Sequence, residues 1–188
     1  MRYSEDHKAK THQRIIEEAA RLFRQDGVGA TGLQPLMKTL GLTHGGFYAH
    51  FKSKDELVEK ALGHAVERLN TSLAIQSQSL PAFIKYYLSS AHRADPGTGC
   101  PLTTLCAELG QRGQPSEITD SMVNNRLAMI EAALPEDEHA DEQAVLMFSA
   151  MVGALLLSRS VSDPALSDRL LKTTRKLLIE QAEASVEA

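Results

Sequence analysis

The stretch Thr31 to Leu57, TGLQPLMKTLGLTHGGFYAHFKSKDEL, constrains this chain more than any other. Leu36 and Leu40 stand four apart, as do Phe47 and Phe51, so two short segments each offer an apolar face at helical spacing. Gly41 supplies the left-handed residue that ends the first helix, and Thr43 can cap the second. Either Gly32 caps the first helix, with Pro35 tolerated in its opening turn, or Thr31 does so in a capping box with Gln34, at the loss of one bond at Pro35. Two helices crossing through such a turn make a helix-turn-helix unit. The polar side of the second helix carries His44, Gly45, Gly46, Tyr48 and His50, with Lys52 and Lys54 just beyond. Small residues, hydrogen-bonding tips and flanking lysines suit entry into a major groove. Spacing alone equally permits an ordinary helical hairpin with a polar outer face.

The rest of the chain reads as helices. Thr11 to Gln25 is amphipathic through Ile15, Ala19, Leu22 and Phe23, and Gly27 stops it. Arg2, Lys8, Lys10 and Arg14 precede or open it, against the helix dipole, either as a solvated terminus or as an arm near a polyanion. Ser53 and Glu56 form a capping box that starts a long helix at Lys54, running through Leu57, Leu62, Val66 and Leu69 to about Ile75. Further helices are expected over 81–92, 100–109, 116–134 (capped by Ser116), 141–159 and 164–181, separated by ADPGTG, GQRGQP, PEDEH and SVSDPAL. With no Trp and no sustained alternation of apolar and polar residues, no sheet is expected. The prediction is an all-α chain of about nine helices, with a helix-turn-helix head over 1–58 and a helical body over 59–188. Val145, Met147, Phe148, Met151, Val152, Leu155, Leu156 and Leu157 cover more than one face of the penultimate helix, while Leu166, Leu170, Leu171, Leu177 and Leu178 stripe the last. Such a pair must be buried on several sides, in a core or in a four-helix seam between two copies.

The formal charge of −4 divides unevenly. Residues 1–58 hold nine Lys and Arg against seven Asp and Glu, and residues 59–188 hold eleven against seventeen. A head of +2 on a body of −6 suits phosphate contact, which depends on local charge. The longest apolar run, Ala150 to Leu157, is too short to span a bilayer, and Met1 leads into a polar stretch without the apolar core of a signal peptide. A cytoplasmic protein without membrane association is expected. No G-x-S-x-G, Walker loop, G-x-G-x-x-G or H-E-x-x-H occurs, and the histidines show no metal spacing with the cysteines. No catalytic residue, cofactor or metal is therefore assigned. Cys100 and Cys106, six apart in one helix, are about 9 Å apart at their Cα atoms and should not pair. In PGTGCPLTTL, Cys100 falls at the cap or first position of a helix, where unpaired N–H groups stabilise a thiolate. It is expected to be accessible and reactive, or else a small packing residue, whereas Cys106 should be inert core.

GLTHGGFYAHFKSKDEL resembles the DNA-binding signature of the TetR/AcrR family of transcriptional regulators. The shared features are a turn Gly, a capping Thr, a small-residue recognition helix, a Tyr-x-His-aromatic run and a Ser-Lys-acidic helix start. THQRIIEEAARLFRQDGVGATG resembles the family's first helix and loop, so the likeness covers roughly the first 60 residues. Pro35 and Met37-Lys38-Thr39-Leu40 depart from its usual second helix. GALLLSRSVSDPALSDRLL resembles the region through which many members dimerise. The resemblance implies a homodimeric repressor that binds palindromic double-stranded operator DNA and pairs through its last two helices. It also implies release by a small-molecule or electrophile inducer bound in the body. Tyr48, Lys54 and His50 would hold phosphates, His44 and Gly45 would face bases, and Thr43 would cap the helix and touch phosphate. Phe83, Tyr86, Tyr87, Cys100, Met122, Arg126 and Met151 are the expected inducer-contacting residues, with Cys100 as the candidate sensor thiol. The rival readings are a helical scaffold without DNA affinity and a small cysteine-dependent enzyme.

Overall fold

Ile15, Ala19 and Phe23 share one helical face, and that face meets Leu36, Met37, Phe47, Phe51 and Leu57 in a core from which solvent is excluded. The computed structural model describes residues 5–76, 79–113, 115–136 and 138–187. This first core is built by α1 (Glu5–Asp26), α2 (Leu33–Thr39), α3 (His44–Phe47) and the start of α4 (Lys54–Gln76). A second and larger core lies among α5 (Leu80–Tyr87), α6 (Ser90–Ala94), α7 (Leu102–Arg112), α8 (Glu117–Glu131), α9 (Ala140–Ser160) and α10 (Pro164–Glu187). Helices are the only regular structure among the described residues, and they number about what the sequence predicts.

Several helix limits differ from the expected ones, each for a local reason. α1 starts at Glu5 rather than Thr11, with Lys10 paired to Asp6 at 2.8 Å across one turn. The stretch 81–92 is divided at Leu88, because the Ser89 hydroxyl accepts from the His92 N–H and opens a new helix. α7 runs past Gly110 and ends on Gly113, which alone there takes a positive φ. Ser116 caps α8 by position only, since its side chain makes no capping bond. At α2 the two alternatives resolve to Gly32 as cap, with Pro35 in the first turn, and Thr31 instead donates to the Gly27 carbonyl at 2.7 Å.

α4 belongs to both cores. Leu57, Ala61 and Ala65 face the first and Leu62 the second, while Val58 touches both. A second junction forms where α7 lies against α1. The Glu108 carboxylate accepts from the N–H groups of Val28 and Gly29, both at 2.7 Å, and pairs with Arg112 at 2.7 Å. Thr104 donates to the Arg24 carbonyl at 2.7 Å, and the buried Arg24 guanidinium donates to the carbonyls of Ala20 and Gly99. Gly27 has a φ of 88°, and a Cβ there would stand 2.8 Å from the Glu108 carboxylate. A Cβ at Gly29 would collide with the Arg112 guanidinium. Both glycines are what lets a carboxylate approach the loop backbone so closely.

α9 is long and apolar enough to cross a membrane by length and composition. Met147, Phe148, Met151 and Leu155 nevertheless pack into the second core. Val145, Leu146, Leu156 and Leu157 form its exposed apolar stripe, and Leu177 of α10 is exposed as well.

Candidate nucleic-acid interface

The turn between α2 and α3 is fixed by backbone and cap together. Gly41 sits at φ 73°, and the N–H groups of Leu40, Gly41 and Leu42 return to carbonyls of Met37 and Lys38. The Thr43 hydroxyl then accepts from the Gly46 N–H at 3.2 Å, capping α3. Two glycines weaken a helix interior, and α3 is only four residues long. After Phe47 the chain continues in tighter turns, with the Ala49 and His50 N–H groups bonded three residues back. Phe47 and Phe51 anchor this segment, both buried, with their rings stacked 5.4 Å apart.

Anchoring from beneath leaves the other face free. His44 and Gly45 are exposed, and no atom comes within 4 Å of a Cβ built on Gly45. Tyr48 is 61% exposed, its ring edge-on to His44 at 5.9 Å. His50 is half-buried beside a cleft of about 390 Å³ whose other walls are His7, Lys8, Thr11, Leu42 and Ala49. Its Nδ1 is buried without a hydrogen-bond partner. Burial, then His12 and Lys8, lower the His50 pKa. His12 stacks on Phe51 at 4.4 Å and is likewise lowered, chiefly by burial and then by Lys60. The cleft thus joins the opening of α1 to the end of the recognition segment and is lined by groups that can donate to an anion.

Lys54 departs from its expected place. Its ammonium turns inward and donates to the Val28 carbonyl at 2.6 Å, because the 27–29 loop lies within reach of the first turn of α4. Lys52 is the exposed lysine at this point, and its N–H is held by the Glu56 carboxylate at 2.7 Å. The Glu56 N–H in turn bonds the Ser53 hydroxyl at 3.1 Å.

In the body, Cys100, Met122 and Arg126 come together with Val66, Pro101, Leu102 and Asn125 around a cavity of only about 10 Å³. That is room for roughly one water molecule. Phe83, Tyr87 and Met151 lie in the surrounding core, and Tyr86 stacks on His92 with ring centres 5.9 Å apart. The expected residues therefore share one region, but they are closed on one another rather than lining a ready pocket.

The expectation of an accessible Cys100 thiolate is corrected. Pro101 is the N-cap of α7, which places Cys100 one residue before the cap, and the residue is 2% exposed. Its N–H donates to His92 Nε2 at 3.0 Å, folding the 95–101 loop inward. Burial pushes the thiol pKa above its ordinary value, which outweighs the lowering effects of Tyr87 and the Leu102 N–H. The Tyr87 hydroxyl is buried nearby without a well-formed hydrogen bond, and burial and then Cys100 raise its pKa well above 10. Cys106 is half-buried rather than fully enclosed.

Residues that sequence patterns did not single out hold the two cores together, namely Glu108, Thr104 and Arg24. They lie 75 to 80 positions from the partners named above across the junction, and no local spacing signals such contacts.

The sequence model of the bacterial regulatory proteins of the tetR family matches residues 15–61. Over most of its length the chain is similar to helix-turn-helix transcriptional regulators. One, from Mycobacterium tuberculosis strain H37Rv, is 27% identical over 184 residues, covering 90% of this chain and 94% of that protein. Another, the regulator TtgR of Pseudomonas putida, is 28% identical over 176 residues, covering 82% and 83%. Among solved structures, a TetR transcriptional regulator from Chloroflexus aurantiacus has the same fold, with a TM-score of 0.79 at 23% identity over 93% of this chain and 95% of that one.

Proposed function

We infer that this chain, which belongs to the TetR family of DNA-binding transcriptional regulators, is a cytoplasmic homodimeric repressor released from its operator by a small molecule. The observation that carries the reading is the recognition segment itself. Phe47 and Phe51 hold it from beneath, while His44, Gly45 and Tyr48 stand exposed on the outer side. A helix presented in this way can enter a major groove. His44 and Gly45 meet bases, and Tyr48 and His50 hold phosphates. The cleft between His50 and Lys8 seats a backbone phosphate, and Thr43 sets the helix and touches the same strand. Lys54 acts from behind by fixing the 27–29 loop.

Residues 1–58 make the reading head and 59–188 the body, with α4 shared between them. The exposed stripe of Val145, Leu146, Leu156 and Leu157, with the exposed Leu177, pairs with its copy across a two-fold axis. Two recognition segments then reach half-sites about 34–36 Å or somewhat more apart. The closed region around Cys100, Met122 and Arg126 is the place an inducer has to open. An inducer enters by parting α7 and α8, and it acts only through a difference in affinity between the two arrangements. A raised thiol pKa favours a reversible ligand over attack at Cys100.

Operator binding by two variants across a panel of sites tests the division of roles. His44→Ala should change which operators are preferred, by about 1–3 kcal/mol at the bases it reads. Tyr48→Phe should weaken all sites alike, because a phosphate contact carries no sequence. Two variants with indistinguishable profiles would refute the assignment.

A further inference from the structure

We propose that Glu108 is a positioning residue for DNA reading, the point through which the body sets the angle of the recognition unit. The inference rests on the reading of α3 as the DNA-contacting element. The covalent path from body to head runs through α4. The Glu108 junction is a second path, made by α7 on the loop that leads directly into α2 and α3.

Val28 is clamped from both sides in this junction. Its N–H is bound by Glu108 of α7 and its carbonyl by Lys54 of α4. Gly29 adds a second N–H to the same carboxylate, so the acceptor is bidentate and ionised, the stronger kind of hydrogen bond. Thr104, one turn earlier on α7, holds the end of α1 through the Arg24 carbonyl. α7 thus touches the end of α1 and the loop that follows it. The opposite end of α7 carries Leu102, which lines the small cavity with Cys100, Met122 and Arg126. Leu102 and Glu108 are about 9 Å apart along a single helix. A helix moves as a unit, so displacement of its first turn by a molecule in the cavity is delivered to the 27–29 loop. Without the carboxylate, the 27–29 loop loses its hold on α7, and α4 with the Thr104–Arg24 and Arg24–Gly99 bonds is left to orient the head.

The consequence concerns spacing rather than contact. One base pair added between half-sites rotates them relative to each other by about 34°, from roughly 10.5 pairs per turn. A dimer with fixed heads tolerates this poorly, and one with loosened heads tolerates it better. The test is fluorescence anisotropy on duplexes from the protein's own upstream DNA. The set comprises the native spacing, spacings shifted by about one or two base pairs, and a single half-site. Wild type should prefer one spacing. Glu108→Gln and Glu108→Ala should lose about tenfold at that spacing, with a flattened preference, unchanged half-site affinity and unchanged dimer mass. Thr104→Val should move in the same direction by less, and it carries the test if the Glu108 variants do not fold. Glu108 variants with the wild-type spacing profile, or with half-site affinity reduced as much as full-site affinity, would overturn the proposal. A wild type that binds none of the duplexes would overturn the DNA reading itself and the inference with it.

Discussion

The two bonds to its ring fix a single neutral tautomer of His92 in this fold. Its Nε2 accepts the Cys100 N–H, so its Nδ1 bears the proton and donates to the Tyr87 carbonyl at 2.7 Å. Burial first, and Arg159 after it, hold the His92 pKa below its ordinary 6.5 despite the raising effect of the Tyr87 carbonyl. Above pH 6.5 the imidazole is neutral both folded and unfolded, and its contribution to stability is complete. As pH falls below 6.5 the unfolded chain takes up a proton that the folded chain refuses, so stability is lost until the folded pKa is reached. Urea midpoints should therefore drop between pH 7.5 and pH 5, and His92→Gln should flatten that part of the profile. The same loop decides the cysteines. Iodoacetamide should modify the half-buried Cys106 before Cys100, and Cys100 only on unfolding; rapid labelling of Cys100 in the native protein would contradict the described burial. The sequence showed Cys100 beside a helix start but not the histidine eight residues earlier that closes the loop over it. Local patterns carry caps and periods, whereas burial is set by partners elsewhere in the chain.

At the scale of elements, α3 combines firm anchoring with weak helix propensity. Gly45 has open space around its Cα and does not take a positive φ, so Gly45→Ala adds a methyl without strain. The substitution should stabilise the segment by about 0.5–1 kcal/mol, seen as a higher melting temperature. It should at the same time weaken operator binding, because the proposed function sets that surface against the bases. An alanine variant with unchanged affinity would remove Gly45 from the interface. Thr43→Ala should cost about 1 kcal/mol through the lost cap. The helix-turn-helix unit was legible because its signals are local: Leu36 and Phe47 spacing, Gly41, Thr43 and the Ser53–Glu56 box. The division of 81–92 was not, since the apolar period continues across Leu88 while a serine cap interrupts the backbone. Nor was the length of α7, because Gly110 reads as a stop. The Glu108–Arg112 pair carries the helix through it.

At the scale of the whole molecule, the proposed function needs a reading head, a closed body and an apolar seam. The broad apolar coverage of the last two helices was legible, and the structure separates it into a buried side and an exposed one. Leu157→Glu places a charge in the proposed seam. It should give a folded monomer by sedimentation, with helicity retained and palindrome affinity lost, because single heads bind half-sites weakly. A Leu157→Glu protein that remains dimeric would move the seam elsewhere. In the proposed dimer, two copies of α3 read a palindrome. Footprinting of the protein's own upstream DNA at low salt tests it most directly. The expected result is a protected segment with dyad symmetry, its two halves about one helical turn or somewhat more apart, abolished by Leu157→Glu and redirected by His44→Ala. The absence of any protected segment, or protection of an isolated half-site without a symmetric partner, would contradict it.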